Sequence, residues 1–438
     1  MKLSTLLKNK YASNLGWTFI EKLINFISTL VVGVFLARYL GPFNFGILSY
    51  SLSYVALFSF LIGLGLDQVI VKEIVNRPSI SKLIVSTSLI LKLLMFLVVF
   101  TLLNTISFFS QNSTELKLII LIVSLGLIHH PFSVLVCYFQ AIVNIKYISV
   151  FIMISKIILI LGKLTMIYIK ASLIDFVILD SFIFLLLSVS YFIYYIKMRK
   201  LKIKDFLKLN KKIAIILFNY SWPLLLSSGA IILYMRVDQI MIKEMINLDA
   251  LGKYAVAVKL SEAWYFLPII ITSVFYPYII NGKKTSNKLY YNRLKQLFFT
   301  TIWIAILFVI FFSLFDDIII GLLFGNEFVS NNYVIPILAI SGIFVSMGYV
   351  NGKWIIIENH TKFELIRNLI GGLLNVLLNF ILIPIYGLNG AALSTLISIF
   401  IAANLSLLFF NKSRKIFVLQ NLAIFDFTIV KKTLSKFR

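Results

Sequence analysis

The sequence predicts an all-α integral membrane protein, and three observations carry that reading: its hydropathy, the length of its apolar runs and the placement of its positive charge. Of 438 residues, 60% are hydrophobic and 13% charged, with a mean hydropathy of +0.98. Soluble domains carry roughly a quarter charged residues, so this chain lies far outside their range. Its apolar runs, rich in Leu, Ile and Phe, are about 20 residues long, which suits helices crossing roughly 30 Å of hydrocarbon. Outer-membrane barrels would instead show alternating strands of about ten residues. Backbone groups in lipid need internal partners, so every run is read as a helix.

Six spans precede a basic stretch, at about 17–39, 47–66, 83–104, 118–139, 148–169 and 174–196. The stretch itself, 197–212 (KMRKLKIKDFLKLNKK), carries eight Lys/Arg against one acid, Asp205. Six more spans follow, at about 213–235, 254–280, 297–315, 333–356, 369–386 and 388–410. The count is therefore about twelve, with fourteen as its upper bound. The organisation is an N-terminal six-helix lobe (1–196), a cytoplasmic connector (197–212), a C-terminal six-helix lobe (213–410) and a basic tail (411–438). The Phe, Leu and Lys of 416–438 suit either a helix lying on the inner leaflet or a disordered tail.

Charge placement tests the count. Segments assigned to one face hold 29 Lys/Arg and those assigned to the other hold five. Short basic loops stay in the cytoplasm, so both termini are expected there, and an odd number of spans would destroy the asymmetry. The first apolar run is too long for a signal peptide and is expected to be retained. The net charge of +24 reads as loops held against anionic lipid, and a nucleic-acid partner is not expected because neither flank of the connector looks soluble.

Chemical motifs are sparse. The single cysteine, Cys137, excludes an internal disulfide and reads as packing. His129-His130-Pro131 has no Cys or carboxylate at ligand spacing, so no metal site is expected. There is no Walker motif, GxSxG or dinucleotide turn, which leaves no cofactor and no intrinsic ATPase in view. External loops are short, and the longest, around 316–332, has no room for a folded domain. That argues against a membrane glycosyltransferase or polymerase. The paired acids Asp316 and Asp317 read as a solvated helix end.

Seven cations fall inside the spans: Lys22, Lys92, Lys156, Lys163, Arg236, Lys259 and Lys353. Each costs about 2.5–3.5 kcal/mol at the bilayer centre on insertion scales, so each needs a reason. Lys353 and Arg236 are placed near helix ends, where they snorkel, with Arg236 near Asp238. Lys163 sits at the depth of Asp180 and is expected to pair with it. Lys156 and Lys92 lie near the midplane, and Glu21-Lys22 and Lys259 with Glu262 put both signs inside the bundle. Together they imply a water-filled cavity lined by cations and suited to an anionic substrate. A network of purely structural pairs is the alternative. Asn368, Gly371, Asn375 and Asn379 recur at helical spacing, marking a polar cavity wall or a helix seam. Pro223, Pro268 and Pro384 supply kinks.

At 36–54 (LARYLGPFNFGILSYSLSY) and 63–74 (GLGLDQVIVKEI) the chain resembles the polysaccharide-biosynthesis flippases of the Wzx type. These belong to the multidrug/oligosaccharidyl-lipid/polysaccharide exporter superfamily. The likeness continues at 219–242, 252–262 and 373–395 (LLNVLLNFILIPIYGLNGAALST). The resemblance implies two lobes around a central cavity, working by alternating access, and, as cargo, an undecaprenyl-pyrophosphate-linked repeat unit. That unit would be moved across a bacterial inner membrane for O-antigen or capsule assembly, with a polymerase and glycosyltransferases of the same pathway as partners. It also implies that cavity cations hold the pyrophosphate. Lys22, Lys156 and Lys259 stand nearest to such roles, followed by Lys92 and Arg236, while Glu262 and Glu21 are candidates for ion coupling. Drug or cation antiporters of the same superfamily are the alternative, disfavoured because the deep charges are mainly positive.

Overall fold

In the computed structural model, which describes residues 2–200, 208–329 and 333–426, the apolar runs all fold as helices and no strand occurs among the described residues. In chain order the helices are α1 (Lys2–Gly63), α2 (Asp67–Asn76), α3 (Ser81–Phe109), α4 (Thr114–Gly126), α5 (His129–Ala141), α6 (Lys146–Tyr168), α7 (Leu173–Arg199) and α8 (Lys211–Met245). Then follow α9 (Leu248–Glu262), α10 (Phe266–Thr285), α11 (Asn287–Leu323), α12 (Val334–Ile357), α13 (Thr361–Tyr386), α14 (Leu388–Phe400), α15 (Ser406–Phe409) and α16 (Arg414–Ala423).

Eleven helical stretches among the described residues are long and apolar enough to cross a membrane. The first contains two of the expected spans. Gly41 breaks α1 at φ 71°, ψ 172°, a conformation that glycine adopts at little cost, and Pro42 then starts the next segment without needing an N–H partner. Divided there, the stretches become the twelve spans that hydropathy predicts.

Two spans read from sequence as single helices are broken. The fourth is split between α4 and α5 just ahead of Pro131, and His129 Nδ1 hydrogen-bonds the Gly126 carbonyl at 2.8 Å across the break. The eighth is split between α9 and α10, with Pro268 in the first turn of α10, where a missing N–H is tolerated. The last span also changes pitch, passing from α14 into a π turn at Ile401–Leu405.

Several helices outrun the apolar runs that mark them. The 37-residue α11 takes in Asp316 and Asp317, which sequence reading placed at a solvated end. The 35-residue α8 runs on to Met245, so Arg236 lies within the helix and not at its terminus. Arg367, counted among loop cations, sits inside α13. In each case a charge inside a helix was taken for its boundary.

The chain forms two compact units, Met1–Ile232 and Leu233–Arg438, so the division falls inside α8 and beyond the connector. The first unit is built on Ile70, Val85, Val134, Phe139 and Tyr195, all fully buried or nearly so. Gly65 explains why the start of α8 belongs here. At φ +63°, a Cβ on it would stand 2.5 Å from Leu225 N and 2.6 Å from the Ser221 carbonyl oxygen. The connector's ends are fixed to α3: Arg199 Nη2 donates to Ser81 Oγ (3.2 Å), Ser86 Oγ to the Lys208 carbonyl (2.9 Å) and Asn210 N to Thr87 Oγ1 (3.2 Å). Its middle, 201–207, lies outside the described residues.

The second unit is built on Leu294, Phe298, Ile302, Val350, Trp354 and Ile416. Ile416 belongs to α16, so this part of the tail is a docked helix. Trp303 Nε1 donates to the Ile424 carbonyl at 3.1 Å, and Lys295 pairs with Asp426 at 2.5 Å. Val418, Leu422 and Phe425 stay exposed, as an interfacial helix requires. Residues 427–438 of the expected tail lie outside the described residues.

Candidate functional site

In the first unit the deep charges have separate surroundings. Lys92 on α3 is completely buried, and its amine donates to Asp67 Oδ1 at 2.6 Å and to Ser133 Oγ at 2.9 Å. Asp67 opens α2, and its side chain is 59% exposed, so the pair has one buried and one wet end. Ser133 Oγ (3.2 Å) and Cys137 Sγ (3.6 Å) on α5 donate to the same carboxylate oxygen. Lys92 is therefore not the unpaired midplane cation that sequence reading expected. A dry ammonium needs a carboxylate, and α2 brings one back over α3 and α5. Cys137, read as packing, is buried and also bonds to this acid.

Lys163 pairs with Asp180 at 2.8 Å, as their matched depth predicts. Glu21 is buried and accepts from Ser149 Oγ on α6 at 2.8 Å. Lys22 lies 3.7 Å from the same carboxylate, yet its side chain is 60% exposed. Lys156, also on α6, is half-buried, and no ion pair among the described residues includes it.

In the second unit Arg236 on α8 and Glu262 at the end of α9 are brought together at 3.8 Å, both partly exposed. Lys259 is half-buried one turn before Glu262. Lys353, four residues before the end of α12, lies 5.3 Å from the centre of the Tyr276 ring. Such a contact steadies a cation near a helix end.

A fully buried polar seam joins α8, α9, α13 and α14. Asp238 Oδ2 accepts from Tyr254 Oη at 2.6 Å and from Thr395 Oγ1 at 3.5 Å, and Asp238 Oδ1 accepts from Gln239 N at 2.7 Å. The chain of contacts continues from Asn375 Nδ2 to Thr395 Oγ1 (3.4 Å) and from Asn379 Nδ2 to Asn375 Oδ1 (3.0 Å). Asn379 Oδ1 has no partner. The recurring asparagines thus mark a helix seam. No group of three His, Cys, Asp or Glu side chains is placed to hold a metal ion among the described residues. The seam offers only oxygen donors, which suit hard cations and not zinc.

Sequence reading gave no part in the arrangement to three charged residues: Asp67, Asp238, which it noted only beside Arg236, and Arg367, which it counted among the loop cations. Asp67 and Asp238 open two similar octamers, DQVIVKEI (67–74) and DQIMIKEM (238–245), a likeness that reads from sequence as coincidence because the two fall one helix out of register and on opposite faces. Arg367 carried no signal, because hydropathy cannot distinguish a buried arginine at a span's edge from a loop arginine.

A family model described as polysaccharide biosynthesis protein matches residues 11–283. Over 186 residues the chain is 29% identical to the probable low-salt glycan biosynthesis flippase Agl15 of Haloferax volcanii, which covers 42% of this chain and 39% of that protein. Over 187 residues it is 27% identical to the capsular polysaccharide biosynthesis protein CapF of Staphylococcus aureus, covering 42% of this chain and 47% of that one. These matches span less than half the length of the curated relatives. Among solved structures, an inward-facing multidrug resistance MATE family transporter superposes with a TM-score of 0.66 at 14% identity, over 90% of this chain and 95% of that one. The lipid II flippase MurJ, in an inward closed conformation, gives 0.64 at 18% identity, over 94% and 92%. Both likenesses are of fold.

Proposed function

Because the chain belongs to the polysaccharide biosynthesis protein family, we propose that it is a flippase, moving a lipid-linked oligosaccharide across a bacterial plasma membrane by alternating access. The cargo class is supported by the two sequence relatives, a probable glycan biosynthesis flippase and a capsular polysaccharide biosynthesis protein, and a transporter fold by the two structural ones. The carrying observation is Lys156: a half-buried cation well inside a spanning helix, without an ion-pair partner among the described residues.

An undecaprenyl-pyrophosphate head group answers that charge. Lys156 and Lys22 of the first unit are the cations assigned to offset its desolvation, while the lipid tail stays in the bilayer; Lys259 and Arg236 are the cations that the second unit, taken by itself, offers to such a group. Lysine meets a phosphate as a point charge, without the planar fork of arginine, so the contact tolerates different glycans. The diester carries about two negative charges. At roughly 2.3 kcal/mol per charge per 100 mV, an inside-negative potential favours outward passage by about 4–5 kcal/mol. Both termini are then cytoplasmic, glycosyltransferases supply the cargo and a polymerase consumes it. Glu21, held by Ser149, and Glu262, held by Arg236, are the groups assigned to ion coupling.

The test is reconstitution into liposomes with a fluorescent undecaprenyl-pyrophosphate glycan. Wild type is expected to flip it, and Lys22→Ala, Lys156→Ala and Lys259→Ala each to flip it at least about tenfold more slowly, the loss of one charge-assisted contact. Equal rates at matched protein density would remove the site assignment, and no flipping by wild type would remove the function.

A further inference from the structure

The geometry points to a binding site for an anionic phospholipid on α16, where Lys412, Arg414 and Lys415 receive the head group and Val418, Leu422 and Phe425 line the upper part of its acyl chains. The ligand belongs to the bilayer and not to the cargo, so the site stands apart from the flippase reading.

α16 is a fixed surface. Its inner face consists of Ile416, Gln420 and Ala423, all completely buried. Gln420 Oε1 accepts from Asn351 Nδ2 on α12 at 3.1 Å, and Asn421 Oδ1 accepts from Asn404 Nδ2 in the π turn at 3.1 Å. The Trp303–Ile424 hydrogen bond and the Lys295–Asp426 pair hold its far end. These contacts also give its direction. Lys415 Nζ stands 3.6 Å from the centre of the Tyr291 ring, in the second turn of α11. Ile424 meets Trp303, twelve residues or about 18 Å further along that helix. The apolar run of α11 begins at about 297, so α16 starts beside the charged approach to the membrane and ends beside the hydrocarbon-spanning part.

The outer face is graded in the same direction. Arg414, Val418, Leu422 and Phe425 follow at intervals of four, four and three residues, which places them in one line on the helix. Val418, Leu422 and Phe425 are 52%, 56% and 75% exposed, an apolar strip that only lipid can cover without cost. Lys412, Arg414 and Lys415 are exposed at the other end, and no ion pair among the described residues includes them. Arg414 Nε donates to the Leu408 carbonyl at 2.9 Å and Lys415 lies over Tyr291, so both heads are held in place with their charge uncompensated. A phospholipid carries the same parts in the same order, a phosphodiester and then hydrocarbon. A zwitterionic head group brings its own cation and cancels part of the attraction. Three cations at one end of the strip therefore select an anionic one.

The experiment reads lipid contact at α16 itself. The full chain carrying Phe425→Trp is reconstituted in phosphatidylcholine vesicles, and the fluorescence it gains over wild type is quenched with dibrominated phosphatidylglycerol or dibrominated phosphatidylcholine. Half-quenching by the anionic lipid is expected at a membrane fraction at least about fivefold lower, the worth of one cation at a charged surface. Raising the salt should shrink that preference. Lys412→Gln, Arg414→Gln and Lys415→Gln combined on the same background should abolish it at an unchanged melting temperature, since all three side chains are exposed. Each single substitution should remove part of it, which keeps the test open if the triple variant folds poorly.

Equal quenching by the two lipids overturns the inference. So does an added indole that neither lipid quenches, because α16 then faces no bilayer. A preference that survives the substitutions, or that ignores salt, places the lipid on other groups and overturns the assignment to these cations. All of these readouts are of binding, so they are unaffected by whether the protein flips a glycan, and an absence of flipping leaves the lipid site standing.

Discussion

Replacing Asp67 with asparagine strips Lys92 of its counter-charge while leaving the shape of the site almost unchanged. Lys92 has no exposed surface, and its amine is held 2.6 Å from Asp67 Oδ1 and 2.9 Å from Ser133 Oγ. Breaking a buried pair by removing one partner costs about 3–5 kcal/mol, because the other charge stays dry and uncompensated. Two features move this case to the low end. The Asp67 side chain is 59% exposed, so water already screens part of the attraction, and Ser133 remains to accept from the amine. Asp67→Asn is therefore expected to lose about 3 kcal/mol. Lys92→Met removes the buried charge itself and leaves a carboxylate that water can solvate, at a cost of about 1 kcal/mol or less. The double variant should be no worse than Lys92→Met, which gives a coupling of about 2–3 kcal/mol in a double-mutant cycle. Equilibrium unfolding in mixed SDS micelles measures all four proteins. An Asp67→Asn loss below about 0.5 kcal/mol, or a double variant equal to the sum of the singles, would refute the assignment of Asp67 as the compensating charge.

The other expectations are local. Gly65→Ala places a methyl against the Ser221 and Leu225 backbone at a positive φ, so it should cost more than about 2 kcal/mol in the same unfolding assay. Tyr254→Phe deletes one short hydrogen bond to Asp238, which keeps Gln239 N and Thr395 Oγ1, and should cost about 1 kcal/mol; Asp238→Ala takes the carboxylate acceptor from the buried phenol, leaving it Thr395, and should cost about 1–3 kcal/mol. If Glu262 couples an ion, Glu262→Gln should alter the ion dependence of flipping in liposomes with imposed gradients, and unchanged transport with unchanged ion dependence would withdraw that role.

Much of the fold was legible because lipid imposes a simple rule on the sequence. The twelve spans follow from apolar length, and the break between the first two lies at Gly41-Pro42, the one place in that run where neither a Cβ nor an N–H has to be accommodated. Helix ends were less legible. Asp316, Asp317 and Arg367 were assigned to helix ends or loops because charge was read as the edge of the membrane, whereas α11 and α13 carry those charges within their own length. The Lys163–Asp180 pair could be anticipated because both residues lie on consecutive spans at matched depth. The Lys92–Asp67 pair could not. It depends on Gly65 turning the chain so that α2 returns over α3 and α5, and a run of hydropathy does not encode that turn. The recurring asparagines of α13 were recognisable as one stripe, but Asp238 as their partner on α8 requires the helices to be packed first.

The most direct test of the central claim compares two cargoes in one preparation of liposomes: a fluorescent glycan on undecaprenyl pyrophosphate, and the same glycan on an uncharged polyprenol. The account predicts that the protein speeds passage of the pyrophosphate-linked glycan, more so under an inside-negative potential, and leaves the uncharged one at the rate of protein-free vesicles. Equal acceleration of both, or of neither, would contradict it.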